Sequence, residues 1–314
     1  MHGLFRTLGR PTVLRRITFA SIVVNVVIVI TGGAVRLTGS GLGCPTWPRC
    51  TEDSYTTTPE MGIYGVIEFS NRLLTFVVGV VAVLAVIGTL AQRPRRRRLV
   101  TLSTLVFLGI PAQAVVGGIT VLTDLNPWVV GLHFLVSMAV IAGAYALWHA
   151  TGEGDAPAQA VVAAPLRTLA WITTGVAGLV LIVGTFVTGS GPHAGDANAR
   201  RNGLNPEAIS QVHADLVFLL IGLAVAAWLA LRAVSAPSAA TRAGWMIVVI
   251  AAQGVIGFVQ YFTNLPAILV GAHLAGSCAV WLAALAMLFA TRVRRPAEVT
   301  AEPLQRAAVG AASR

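Results

Sequence analysis

The sequence predicts an all-α membrane protein whose eight transmembrane helices form two pseudo-symmetric four-helix bundles. Three observations carry this reading. Hydrophobic residues make up 56% of the 314-residue chain and charged residues only 11%, a balance far from that of an ordinary soluble domain. Eight apolar runs reach the roughly 20 residues that a helix needs to cross a bilayer core. The second half of the chain also repeats the first.

The spans are expected near 17–36, 65–90, 99–121, 129–148, 166–188, 210–231, 243–262 and 267–290. The first run, Ile17 to Ala34, follows Arg6, Arg10, Arg15 and Arg16 and has the flanks of a signal peptide, but its far end has no A-x-A cleavage site, so it is read as a true span. Between the second and third spans lies Gln92-Arg93-Pro94-Arg95-Arg96-Arg97-Arg98, whereas Thr123-Asp124-Leu125-Asn126-Pro127 after the third has no basic residue. The positive-inside rule assigns the arginine run to the cytoplasm. Arg232, Arg242, Arg292, Arg294 and Arg295 fall on the same side, so both termini are expected to be cytoplasmic in a multi-pass protein of a bacterial plasma membrane.

Four segments follow from this topology. Residues 1–150 form an N-terminal four-helix half and 166–295 a C-terminal one. The Gly- and Pro-containing stretch 151–165 reads as a flexible cytoplasmic linker, and 296–314 as a disordered cytoplasmic tail. The net charge of +10 raises the question of nucleic acid, but the arginines flank apolar runs instead of forming a basic face with interleaved aromatics. All 22 basic residues are arginine, which excludes chemistry through a lysine Schiff base.

The repeat is explicit. AQAVVGGITVLTDLNPWVVGLH at 112–133 aligns without a gap on AQGVIGFVQYFTNLPAILVGAH at 252–273, matching Gln113 to Gln253, Gly117 to Gly257 and His133 to His273. Thr38-Gly39-Ser40 matches Thr188-Gly189-Ser190, and IEFSNRLLTFVVG at 67–79 resembles ISQVHADLVFLLIG at 209–222, with Asn71 opposite His213. Halves of four spans share one orientation, which implies an axis along the membrane normal.

Gln and His are rare within spans, so their recurrence at matched positions points to function. His133, His213 and His273 share one depth near the outer ends of their helices. Neutral imidazole is a common iron ligand, and His213 and His273, on the second and fourth spans of one half, suit a six-coordinate haem. Zinc is disfavoured because no carboxylate or thiolate neighbours that pair at ligand-like spacing. His2, His149 and His193 fall in the tail, at a cytoplasmic helix end and in an outer loop, and are read as non-ligating.

Cys44 and Cys50 flank the outer-loop sequence CPTWPRC, where a bridge is expected; two exchangeable thiols or a catalytic thiol are the alternatives the sequence leaves open. Cys278 reads as a packing residue. Glu68, an acidic residue inside a span, is a functional candidate. Arg36 and Arg72 stand at outer helix ends, where pairing with haem propionates or simple snorkelling both account for them. The Thr38-Gly39-Ser40-Gly41-Leu42-Gly43 stretch lacks the spacing and the preceding strand of a nucleotide-binding loop.

The ordered motifs GGAVRLTGSGLGCPTWPRC, IEFSNRLL, NPWVVGLH, QVHADL and GAH, spread over roughly 17–290, resemble the haem A synthase family of respiratory-oxidase assembly. The resemblance implies oxidation of the C8 methyl of haem O to a formyl group by successive hydroxylations, with water or oxygen as the oxygen source. It implies a haem b cofactor on His213 and His273, a substrate haem site in the N-terminal half containing His133, Asn71, Arg36 and Arg72, and a catalytic role for Glu68. The outer-loop cysteines match Cys44 and Cys50. Implied partners are a haem O synthase (protohaem farnesyltransferase), an electron-transfer partner and a possible second copy of the chain. One departure stands out: where many members carry a histidine this chain has Asn71, a poor iron ligand, which leaves His133 as the one protein ligand expected for the substrate haem. A membrane b-type cytochrome and a haem or small-molecule transporter are the rival readings.

Overall fold

The computed structural model describes residues 2–295. The tail expected to be disordered, 296–314, lies outside the described residues. A short helix α1 (His2–Leu8), which the sequence reading did not anticipate, precedes α2 (Pro11–Leu37), α3 (Gly62–Ala91), α4 (Arg97–Leu122), α5 (Pro127–Thr151), α6 (Ala164–Ser190), α7 (Pro206–Ala233), α8 (Pro237–Phe262) and α9 (Ala267–Phe289). Among the described residues, helices α2 to α9, with α3 extended by a 3₁₀ turn at Pro59–Met61, are the eight that are long and apolar enough to cross a membrane. Their bounds contain or closely match the expected spans.

Local sequence sets these ends. Pro opens α2, α5, α7 and α8, where its fixed φ suits the first turn and its missing N–H is not needed. Asn126 caps α5 by accepting from the Trp128 N–H at 3.0 Å, and Asn205 caps α7 by accepting from Ala208 at 2.8 Å. The repeat is present in the backbone as well. After α4, Asp124 and Leu125 take φ of 50° and 57°; after α8, the matched Asn264 and Leu265 take 60° and 58°. In both turns the N–H of the leucine returns to a carbonyl five residues earlier, Leu125 to Thr120 and Leu265 to Gln260, each at 2.8 Å, which closes the helix end with left-handed residues.

Helix α2 packs on α3 and α5, and α4 on α3 and α5; likewise α6 packs on α7 and α9, and α8 on α7 and α9. The two sets meet where α2 and α5 face α9 and α6. Val29 of α2, Met138 and Ile141 of α5, Leu181 of α6 and Cys278 of α9 form one buried cluster across that seam, so Cys278 is a packing residue. Trp281 of α9 donates its indole N–H to the Met138 carbonyl of α5 at 3.0 Å.

The 151–165 connection is not the free linker that its composition suggested. Its strand β1 (Gln159–Ala160) pairs antiparallel with β2 (Arg292–Val293), just beyond α9. Arg96 holds Asp155 at 2.8 Å and the Glu153 carbonyl at 2.6 Å, and Arg98 holds the Glu153 carboxylate at 2.5 Å. Gly and Pro signalled irregular backbone; the neighbouring arginines and the end of α9 supply the partners that order it.

Candidate functional site

The three candidate ligand histidines sit near the starts of their helices. His133, His213 and His273 lie six, seven and six residues beyond the first residues of α5, α7 and α9, or about 10 Å along each axis. All three keep Nδ1 buried without a hydrogen-bond partner. His213 and His273 face each other with ring centroids 6.5 Å apart and planes at 64°. Two imidazoles sharing one metal, each bound at about 2.0–2.1 Å with its centroid roughly 1.1 Å behind the nitrogen, would stand about 6.3 Å apart. The pair therefore fits a bis-imidazole metal centre of the kind a haem iron provides.

Two residues that the repeat singled out, but to which no role was assigned, help to hold these histidines. Gln253 of α8 donates from Nε2 to the His273 carbonyl at 2.5 Å. Gln113 of α4 does the same to the His133 carbonyl at 3.2 Å and also bonds the Ser137 hydroxyl. Each glutamine thus ties the helix that carries a candidate histidine to its neighbour at the level of that histidine. Their rarity in apolar helices was the available signal.

Asn71 occupies the position matched to His213, and its amide is already engaged. The Thr31 hydroxyl of α2 donates to Asn71 Oδ1 at 2.7 Å.

Glu68 and Arg72 build a different structure from the one expected. Cys44 and Cys50 form a disulfide, and both are fully buried. The loop they close is gripped from α3: Glu68 Oε2 accepts the Cys44 backbone N–H at 2.7 Å, and Glu68 Oε1 accepts from Arg72 Nε and Nη2 at 3.1 and 2.5 Å. Arg72 also donates to the carbonyls of Thr46, Arg49 and Cys44 at 3.0, 3.1 and 2.9 Å. These contacts use all five guanidinium N–H donors. Of the two accounts offered for Arg72, a propionate partner or simple snorkelling, neither anticipated these contacts: Arg72 clamps loop carbonyls, and Glu68 is its counter-ion. On the other side of the loop, Trp47 lies flat on α4, where a Cβ at Gly118 would come within 2.3 Å of the indole.

Arg36 at the end of α2 reaches across to the 189–209 connection, donating from Nε to the His193 carbonyl at 2.6 Å and from Nη2 to the Thr188 carbonyl at 2.7 Å. His193 in turn donates from Nε2 to the Leu265 carbonyl at 2.9 Å. His149, at the opposite end of the molecule, stands 3.4 Å from Glu153 Oε1. Neither of these two histidines joins the facing pair. His2 belongs to α1, away from all of them in sequence, and its side chain lies outside the described residues.

A family model described as Cytochrome oxidase assembly protein (COX15-CtaA) matches residues 15–285. The chain is similar to a Heme A synthase of Symbiobacterium thermophilum, 29% identical over 183 residues, covering 55% of this chain and 58% of that protein. It is also similar to those of Exiguobacterium sibiricum, 32% over 117 residues (37% and 39%), and Bacillus pumilus, 33% over 133 residues (41% and 42%). The aligned segments thus span about two fifths to three fifths of these relatives' lengths. The family match, by contrast, runs from the first long helix to the last, carrying both members of the facing histidine pair and the disulfide loop, and the chain belongs to the COX15-CtaA family of cytochrome oxidase assembly proteins.

Proposed function

We propose that this protein is a haem A synthase: it takes haem O and oxidises its C8 methyl to a formyl group. Each hydroxylation exchanges a C–H for a C–O bond and removes two electrons, and loss of water from the second product leaves the aldehyde. The observation that carries the reading is the facing His213–His273 pair, joined to a repeat-related His133 on α5. A cofactor haem b held by His213 and His273 supplies an electron relay. The N-terminal half then takes the substrate, with His133 as iron ligand.

Several features support an enzyme over a cytochrome that only passes electrons. The two halves are matched in backbone but unequal in ligands, one having two histidines and the other His133 and Asn71. The disulfide loop is fixed over α3 immediately before Asn71, so Glu68 acts by holding that loop and thereby the roof of the substrate half. Arg36 keeps its Nη1 donors for a propionate while its other contacts anchor the second loop. The protein is read as multi-pass in a bacterial plasma membrane, its arginine-rich end and both termini cytoplasmic. A farnesylating haem O synthase would supply the substrate, and an electron-transfer partner would remove the electrons.

The test is expression with a haem O source followed by chromatography of extracted haems. Haem A or its hydroxylated precursor is expected from the parent chain, and their absence overturns the proposal. In pyridine haemochrome spectra, His213→Ala and His273→Ala should lose haem b, while His133→Ala should retain it.

A further inference from the structure

A single contact recurs at every candidate ligand. A Cβ built on Gly117 of α4 would lie 3.1 Å from Cε1 and 3.6 Å from Nδ1 of His133. On Gly257 of α8 it would lie 3.2 and 3.6 Å from the same atoms of His273, and on Gly184 of α6 3.2 and 3.7 Å from those of His213. Three imidazoles on three different helices thus rest Cε1 on a glycine of the neighbouring helix. The buried, unpartnered Nδ1 is bonded to that carbon. At Gly184 and Gly257, Nε2 falls outside the 4 Å contact shell, so it is the nitrogen turned away from the glycine.

We infer that Gly117, Gly184 and Gly257 are positioning residues that set the height and tilt of the ligand imidazoles. This rests on the haem reading above. At the fourth position Asn71 stands in register with His213, and a glycine is still beside it: a Cβ built on Gly32 of α2 would lie 3.8 Å from Asn71 Nδ2. Thr31, matched to Leu181, supplies the hydroxyl that holds the Asn71 amide. The fourth position has therefore been rebuilt as a Thr–Asn pair tied between α2 and α3.

The physical basis is the stiffness of a metal–nitrogen bond. A methyl at 3.1–3.2 Å forces its neighbour to give by a few tenths of an ångström, and an imidazole bound at about 2.0 Å cannot shift that far without tilting off the iron axis. The effect should appear in the spectrum of the haem before it appears in the fold.

The experiment uses the purified full-length protein and the variants Gly184→Ala, Gly257→Ala and Gly254→Ala. The last is one turn from Gly257, and a Cβ there meets nothing within 4 Å. Ferric low-spin EPR signals and the haem b midpoint potential should shift in the first two variants and match the parent in Gly254→Ala. If Gly184→Ala and Gly257→Ala match the parent, the inference is overturned. Should one glycine variant not accumulate, the other still decides the outcome. A parent protein without haem on His213 and His273 would sink the functional proposal instead.

Discussion

Arg72 donates twice to one carboxylate oxygen of Glu68, the residue one helical turn before it, while the other oxygen of Glu68 accepts the backbone N–H of Cys44. The pair sits under the disulfide loop with side-chain exposures of 21% and 7%. Its role is to fix three carbonyls and one N–H of the loop to α3.

Removing one member leaves the other uncompensated. Glu68→Ala should therefore destabilise the protein by roughly 3 kcal/mol, the order seen when one partner of a largely buried pair is lost. Glu68→Gln retains an acceptor for Cys44 and should cost less. Thermal unfolding in detergent measures both, and an unchanged midpoint for Glu68→Ala would refute the clamp.

The disulfide and the clamp act on the same short loop. The sequence separation of Cys44 and Cys50 is 6, and closing so small a loop contributes about 2 kcal/mol in the chain-entropy picture. Cys44→Ser/Cys50→Ser should thus unfold earlier yet keep a folded loop, because Arg72 still grips it. Combined with Glu68→Ala, the loss should exceed the sum of the separate losses. Strict additivity of the three midpoints would show that the two devices are independent.

Arg36 ties the end of α2 to the 189–209 connection. Arg36→Ala should free the His193 and Thr188 carbonyls and expose the bonds after Arg200 and Arg201 to trypsin. Faster appearance of a cleavage product with an otherwise intact helical spectrum is the expected result. Cleavage at the parent rate would remove the anchoring role.

At the other end, Glu153 has 7% side-chain exposure and pairs with Arg98. Glu153→Ala should leave Arg98 unpaired, loosen 151–165 and raise hydrogen exchange at the backbone N–H groups of Gly154, Ala156 and Val161, which bond to the segment after α9. Exchange at those three amides unchanged from the parent would mean that the β1–β2 pairing alone orders the connection.

Much of this architecture was legible beforehand because it depends on local or rare features. Twenty apolar residues in a row allow few alternatives to a spanning helix, so α2 to α9 could be placed within a few residues. A histidine or glutamine inside such a helix is costly enough to mark itself, and its recurrence at 133 and 273, or 113 and 253, marked it twice. The positions where reading failed are those decided by backbone groups distant in sequence. Nothing in the composition of CPTWPRC reveals that its carbonyls converge on Arg72, for which the sequence offered only a propionate or snorkelling. Nothing in TGEGDAPAQ reveals that the end of α9 will offer it a strand.

Residue types and their order thus determined the eight helices, the twofold repeat, the candidate ligand histidines and the asparagine at the fourth matched position, since each follows from hydropathy, periodicity or the chemistry of a single side chain. Tertiary structure decided which atoms those side chains meet: Glu68 on Cys44, Thr31 on Asn71, and three imidazoles on three glycines. These pairings join helices whose relative height and rotation are set by packing across the whole molecule, and a contact of that kind has no local code.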